Sequence, residues 1–201
     1  MIYKLVKILN SLILKFLSIT FLFNCFSYTQ NPDKQIYLSI NPLITFSSND
    51  FEDFWNSDVG LLSEFRFDHA IGQLGAGLSI MKFNSKNDLI PGFYGVDYYF
   101  LYRKHFELFS DFNLMLGLDI GIYEFRFEDK DYFESTGEKN EREFSVKLVS
   151  GFSFNISESW SSELGIGYSF IYTKKRIELT TFRIGLVKSF TAPSWLQEFL
   201  E

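Results

Sequence analysis

Residues Phe182 to Phe190 read Phe-Arg-Ile-Gly-Leu-Val-Lys-Ser-Phe, with Phe182, Ile184, Leu186 and Phe190 on one side and Arg183, Gly185 and Ser189 on the other. A two-residue period is the signature of a β-strand, because successive side chains point to opposite faces of the sheet. One face of this strand is therefore large and apolar, and something must cover it.

The same period recurs along the chain. Phe144, Val146, Leu148, Phe152, Phe154 and Ile156 share a face. So do Trp160, Leu164, Ile166, Tyr168, Phe170 and Tyr172, and likewise Leu108, Phe112, Leu114, Leu116, Leu118, Ile120 and Ile122. Turn-like or charged stretches separate the alternating segments, and the pattern predicts eight strands: 35–47, 58–68, 73–84, 93–103, 106–125, 143–156, 160–173 and 177–190. Most match the roughly 9 to 11 residues of a tilted membrane crossing better than the roughly 5 or 6 typical of soluble domains.

Alternation shows that two faces differ without showing which one is inside. In a lipocalin-like soluble barrel the apolar face points inward, and long polar side chains meet water. Here the second face instead carries small residues in rows, Gly75, Gly77 and Ser79, then Gly117 and Gly121, then Gly165, Gly167 and Ser169, with charges between them. Small residues suit the crowded interior of an eight-stranded barrel. Tyr94, Trp160 and Tyr172 near strand ends suit an interfacial aromatic girdle. The fold expected is all-β: an eight-stranded antiparallel up-and-down transmembrane β-barrel over residues 35–190.

Composition agrees with strands. The 201 residues include 25 Phe and 11 Tyr but only 4 Pro, and aromatics favour strands while Pro interrupts them. No apolar run after residue 30 reaches the roughly 18 residues of a spanning helix. Residues 1–27 read as a signal peptide, with Lys4, Lys7 and Lys15 ahead of an apolar stretch from Phe16 to Phe26, and Cys25 and Ser27 before the cut. Cys25 also stands where a lipidated cysteine would, although Asn24 is a poor residue to precede one. Removing three lysines and no acid takes the formal charge from −6 to −9, so nucleic acid is not an expected partner. Residues 28–34 form a periplasmic leader. Residues 191–201 form a tail in which Trp195, Leu196, Phe199 and Leu200 at helical spacing predict a short amphipathic helix, with Trp195 as interfacial anchor.

An even strand count places both termini on the periplasmic side, with short turns there and longer loops outside. Short connections are expected around Asp68–Gly72, Arg103–His105 and Ser157–Ser159, and outer ones at Ser48–Ser57, Asn84–Pro91, Arg126–Arg142 and Lys174–Arg176. The chain resembles the OmpA/OmpX-like superfamily of small outer-membrane β-barrels, including PorT-like barrels. The resemblance is carried by the alternation across 35–190 and by the closing segment Gly185-Leu186-Val187-Lys188-Ser189-Phe190. It implies outer-membrane lipids, lipopolysaccharide and the barrel assembly machinery as partners. Eleven residues follow Phe190, whereas the family's closing aromatic is usually terminal.

Chemistry-bearing residues concentrate on the polar face. Glu64, Arg66, Asp97, Lys147 and Arg183 fall on inward positions near mid-strand, with Asp111, Asp119 and Glu163 nearer the ends. Charges in a narrow lumen must pair, which gives a salt-bridged plug or, if a pair opens, an ion path. Outer-membrane lipid A-modifying enzymes are barrels of similar size. His69 and His105, however, fall in expected periplasmic turns, away from the outer leaflet, and no catalytic residue, metal site or cofactor is expected. The acidic third loop, Glu128 to Glu138, lacks the spacing of a calcium loop. Phe51, Phe54 and Trp55 in the first outer loop, with Tyr132 and Phe133 in the third, are candidate contacts for a surface partner or lipopolysaccharide, with folding back onto the barrel rim as the equal alternative.

Overall fold

A computed structural model describes residues 34–47, 51–87, 90–128, 140–174 and 176–199, all within a unit spanning Asp33–Glu201. The signal peptide, most of the leader, and Tyr132 and Phe133 lie outside the described residues. The elements are β1 (Gln35–Ser47), α1 (Phe51–Phe54), β2 (Trp55–Ser57), β3 (Gly60–His69), β4 (Gly72–Ser85), β5 (Phe93–Phe109), β6 (Phe112–Phe127), β7 (Asn140–Ser157), β8 (Trp160–Ile171), β9 (Ile177–Thr191) and α2 (Ser194–Phe199).

Eight of the nine strands form a closed ring. β1 pairs with β3, β3 with β4, and so on antiparallel to β9, which returns to pair with β1. The ninth, β2, is three residues long and pairs with the end of β4 inside the first long connection. The register fixes the geometry of the ring. Hydrogen-bonded partners followed from Lys188 lead through Leu38, Phe65, Ala76, Phe100, Ile120, Val146 and Phe170 and return to β9 at Glu178, a stagger of ten residues. With eight strands, that stagger tilts the strands by about 40° and sets a backbone radius of about 8 Å.

One end of the ring has three two-residue turns, Ala70–Ile71, Ser110–Asp111 and Glu158–Ser159, and also holds the start of β1 and the finish of β9. The opposite end carries the longer connections. At the first turn Gly72 has φ 145°, a conformation L-residues rarely adopt, and a Cβ there would meet the Arg103 carbonyl at 2.7 Å.

The second turn corrects the sequence reading. Arg103-Lys104-His105 is strand, and β5 continues to Phe109. Three consecutive basic residues look like a loop, but Arg103 points inward and is fully buried. Asp111, expected on an inward face, lies exposed in the turn, where its carbonyl accepts from Asn155 N at 2.9 Å. His69 ends β3 beside the first turn, and its Nδ1 accepts from Ile71 N. After β9, Ala192 N donates to Lys34 O at 2.9 Å, and α2 follows with Trp195 68% exposed.

The ring is apolar outside. Every outward position of β1 from Ile36 to Phe46 is hydrophobic or Pro, and Phe100 on β5 is 78% exposed. Outward charges such as Lys82, Arg126, Glu178 and Lys188 lie toward strand ends, and Tyr94, Trp160 and Tyr172 are exposed there too.

Candidate functional site in the barrel interior

The interior divides into three layers along the barrel axis. At the loop end it is filled by rings. Phe83 from β4 stacks on Phe93 from β5 at 4.7 Å, with Phe125 and Phe127 from β6 beside them. Phe51 of α1 enters from above and meets Phe83 edge-on at 5.3 Å. Trp55 packs on Phe51 at 4.9 Å, and its Nε1 donates to the Pro91 carbonyl at 3.1 Å. Of the two readings of these aromatics, Phe51 and Trp55 take the one in which they fold back onto the barrel rim. Phe51 is buried and Trp55 half-buried, because the mouth of the barrel offers an apolar surface that the connection can cover. The second connection holds the first in place: Lys86 N donates to Phe54 O at 2.8 Å and Lys86 Nζ to Glu52 O at 2.6 Å. Phe54 alone of the three remains exposed.

The middle layer is ionic. Glu64 Oε1 accepts from Arg103 Nη2 at 2.8 Å, Arg183 Nη1 at 2.7 Å and the Tyr99 hydroxyl at 3.2 Å. Arg66 Nε lies 3.8 Å from Glu64 Oε2, while Arg66 Nη2 donates to Glu163 Oε1 at 2.7 Å. Arg103 Nη1 also donates to Asp119. Lys147 Nζ donates to Asp97 Oδ2 at 2.8 Å and sits 4.5 Å over the Tyr99 ring, and Ser145 Oγ donates to Asp97 Oδ1 at 2.9 Å. Glu64, Asp97, Asp119 and Glu163 thus face Arg66, Arg103, Lys147 and Arg183, four acids against four bases. All eight side chains are buried, so each charge depends on its partners for the stabilisation water would give.

Inward glycines make room for these long side chains. A Cβ on Gly117 would stand 2.6 Å from Arg103 Cδ, and one on Gly165 would stand 2.9 Å from Arg183 Nε. The network brings together the five mid-strand charges named from the sequence and adds Asp119 and Glu163, which were placed nearer the ends. Arg103 was missed because its neighbours looked like a turn. Its parity with Asp97, Tyr99 and Leu101 on the same strand is the signal that identifies it.

Between the network and the aromatic layer remains a space of about 20 Å³, bordered by Asp97, Tyr123, Lys147 and Arg183, enough for about one water. Toward the turn end the interior opens into a cavity of about 190 Å³. His105 lines it with Arg66, Gln73, Asn113, Ser153 and Glu163, so this histidine faces the lumen rather than a turn. Near the same end Tyr37 donates its hydroxyl to Asp68 Oδ2 at 3.0 Å.

Among solved structures, the barrel is similar to the Yersinia pestis attachment invasion locus protein Ail in complex with the heparin analogue sucrose octasulfate. That protein is 13% identical, with a TM-score of 0.47, and the match covers 79% of this chain and 98% of that one. It is also similar to outer membrane protein OprG from Pseudomonas aeruginosa, 14% identical with a TM-score of 0.45 over 80% and 97% of the two chains. Outer membrane protein AlkL, solved in lipid bilayers, is 11% identical with a TM-score of 0.48 over 81% and 92%. No family model matches the sequence, and no match to a curated protein was found. In fold the chain is a small closed up-and-down antiparallel β-barrel, with apolar side chains outside and charges within.

Proposed function

We propose that this chain is an integral outer-membrane β-barrel with a closed, ion-paired lumen, acting in envelope structure or surface contact rather than in catalysis. One observation carries the reading: the ring exposes Leu, Ile and Phe all round while it buries four acids and four bases inside. Water on the outside would make that arrangement costly. Hydrocarbon makes it favourable, since a closed ring satisfies its backbone groups within itself and presents a predominantly apolar band to lipid. The turn end then faces the periplasm and the connections face outward, with lipopolysaccharide around their base and Phe54 exposed for a surface ligand. The closing strand is the segment offered to the assembly machinery.

The layers support the reading of a closed lumen. About 20 Å³ above the network cannot pass a hydrated ion, and the aromatic layer covers it. His105 opens on the turn-end cavity, so it stands away from the outer leaflet, where a lipid-modifying site would have to work. Membrane fractionation with a heat-shift gel tests the barrel: it should fractionate with outer membranes and migrate faster unboiled. A soluble product with no heat shift overturns the proposal. In planar bilayers the purified protein should carry no steady current, and lipid A should have the same mass with or without the gene. Steady currents abolished by Arg183→Ala would establish a channel instead.

A further inference from the structure

The turn-end cavity has a chemistry that the network does not consume. Arg66 commits Nη2 to Glu163 Oε1 at 2.7 Å. Arg66 Nη1, Glu163 Oε2, Gln73 Oε1 and His105 Nε2 are all buried without a hydrogen-bond partner. All four belong to side chains that line the cavity, and Arg66 and Glu163 are 1% and 2% exposed. A buried guanidinium nitrogen and a buried carboxylate oxygen are costly to leave unsatisfied. Their joint presence in one lumen chamber is the mark of a built polar site.

We infer that this cavity binds a small zwitterionic molecule, one bearing both a carboxylate and an ammonium group, that enters from the turn end. The sign of the wall decides the class. A lone anion drawn to Arg66 Nη1 meets the Glu163 carboxylate beside it, and a lone cation drawn to Glu163 Oε2 meets the guanidinium. A ligand with both charges satisfies both, its carboxylate on Arg66 and its ammonium on Glu163 and the Gln73 carbonyl. Asn113 and Ser153 supply neutral partners for the remainder. About 190 Å³ accommodates roughly six waters at about 30 Å³ each and so admits a free amino acid of small side chain. The chamber is blind under the closed-lumen reading, so binding rather than passage is expected; conductance tests that reading separately.

The test is calorimetric titration of the full chain, refolded in detergent micelles, with free glycine, acetate or methylamine. Glycine should bind roughly tenfold more tightly than either single-charge probe. Glu163→Gln should weaken glycine roughly tenfold and improve acetate relative to glycine. Because Glu163 belongs to the network and its loss can unfold the barrel, Ser161→Phe provides a second variant. Ser161 lines the cavity outside the network, and its replacement should abolish glycine binding while the heat shift persists. Absence of glycine binding, equal affinity for the three probes, or binding untouched by Ser161→Phe would each overturn the inference.

Discussion

The loop-end and turn-end halves of the lumen treat their space differently, one filling it and the other leaving about 190 Å³ open. Above the network, rings from α1, β2, β4, β5 and β6 meet at 4.7–5.6 Å and leave little room. Below it, polar side chains stand apart around about 190 Å³. Aromatic packing removes volume because rings of this size interdigitate, whereas hydrogen-bonding groups hold water or ligand without closing on one another. The ion network is the boundary between the two regimes. Its charges face both halves, Arg66 and Glu163 the lower and Asp97, Lys147 and Arg183 the upper, and they lock strands that sequence separates widely.

The largest expected effect falls on that boundary. Glu64→Ala removes the acceptor shared by Arg103 and Arg183 and leaves the buried Arg183 without its ion-pair partner while Arg103 keeps Asp119, which should destabilise the barrel by about 3–5 kcal/mol. Urea unfolding followed by loss of the heat-shifted band would measure it, and a change below about 1 kcal/mol would mean the network contributes no more than a surface pair. Phe93→Ala, at the hub of the aromatic layer and 1% exposed, should cost about 3 kcal/mol in the same assay. Phe51→Ala should cost about 2 kcal/mol. It should also make the first connection cleavable by protease while the barrel stays folded; unchanged protease resistance would show that Phe51 does not anchor it. Tyr37→Phe, which deletes only the hydroxyl bonded to Asp68, should cost about 1 kcal/mol. If Tyr37→Phe equalled Phe93→Ala, the contrast between the halves would collapse.

The eight ring strands were legible because alternation over ten or more residues is a strong periodic signal, and six of them match the predicted bounds to within three residues at both ends. The misplaced turn at Arg103-Lys104-His105 has a physical cause. Polarity marks both a loop and the inward face of a charged lumen, and only continued parity distinguishes them. Ser110–Asp111 is the true turn, with apolar Phe109 and Phe112 paired across it. The inward charges could be named, but not who pairs with whom, since Glu64 and Arg183 meet only through the stagger of the ring. The burial of Phe51 carried no signal at all. A three-residue strand such as β2 is too short to show a period, and the fit of a connection into a barrel mouth exists only once the mouth has formed.

The seam between β1 and β9 joins the two barrel strands furthest apart in the chain. Its hydrogen bonds span the longest loop the molecule must close, so the ring closes late and slowly relative to its hairpins. Until β9 arrives, β1 and β8 present unpaired edges, and a nascent chain in that state is a template for aggregation. The interval before closure is therefore the one in which the chain is most exposed to misassociation, however stable the finished ring becomes.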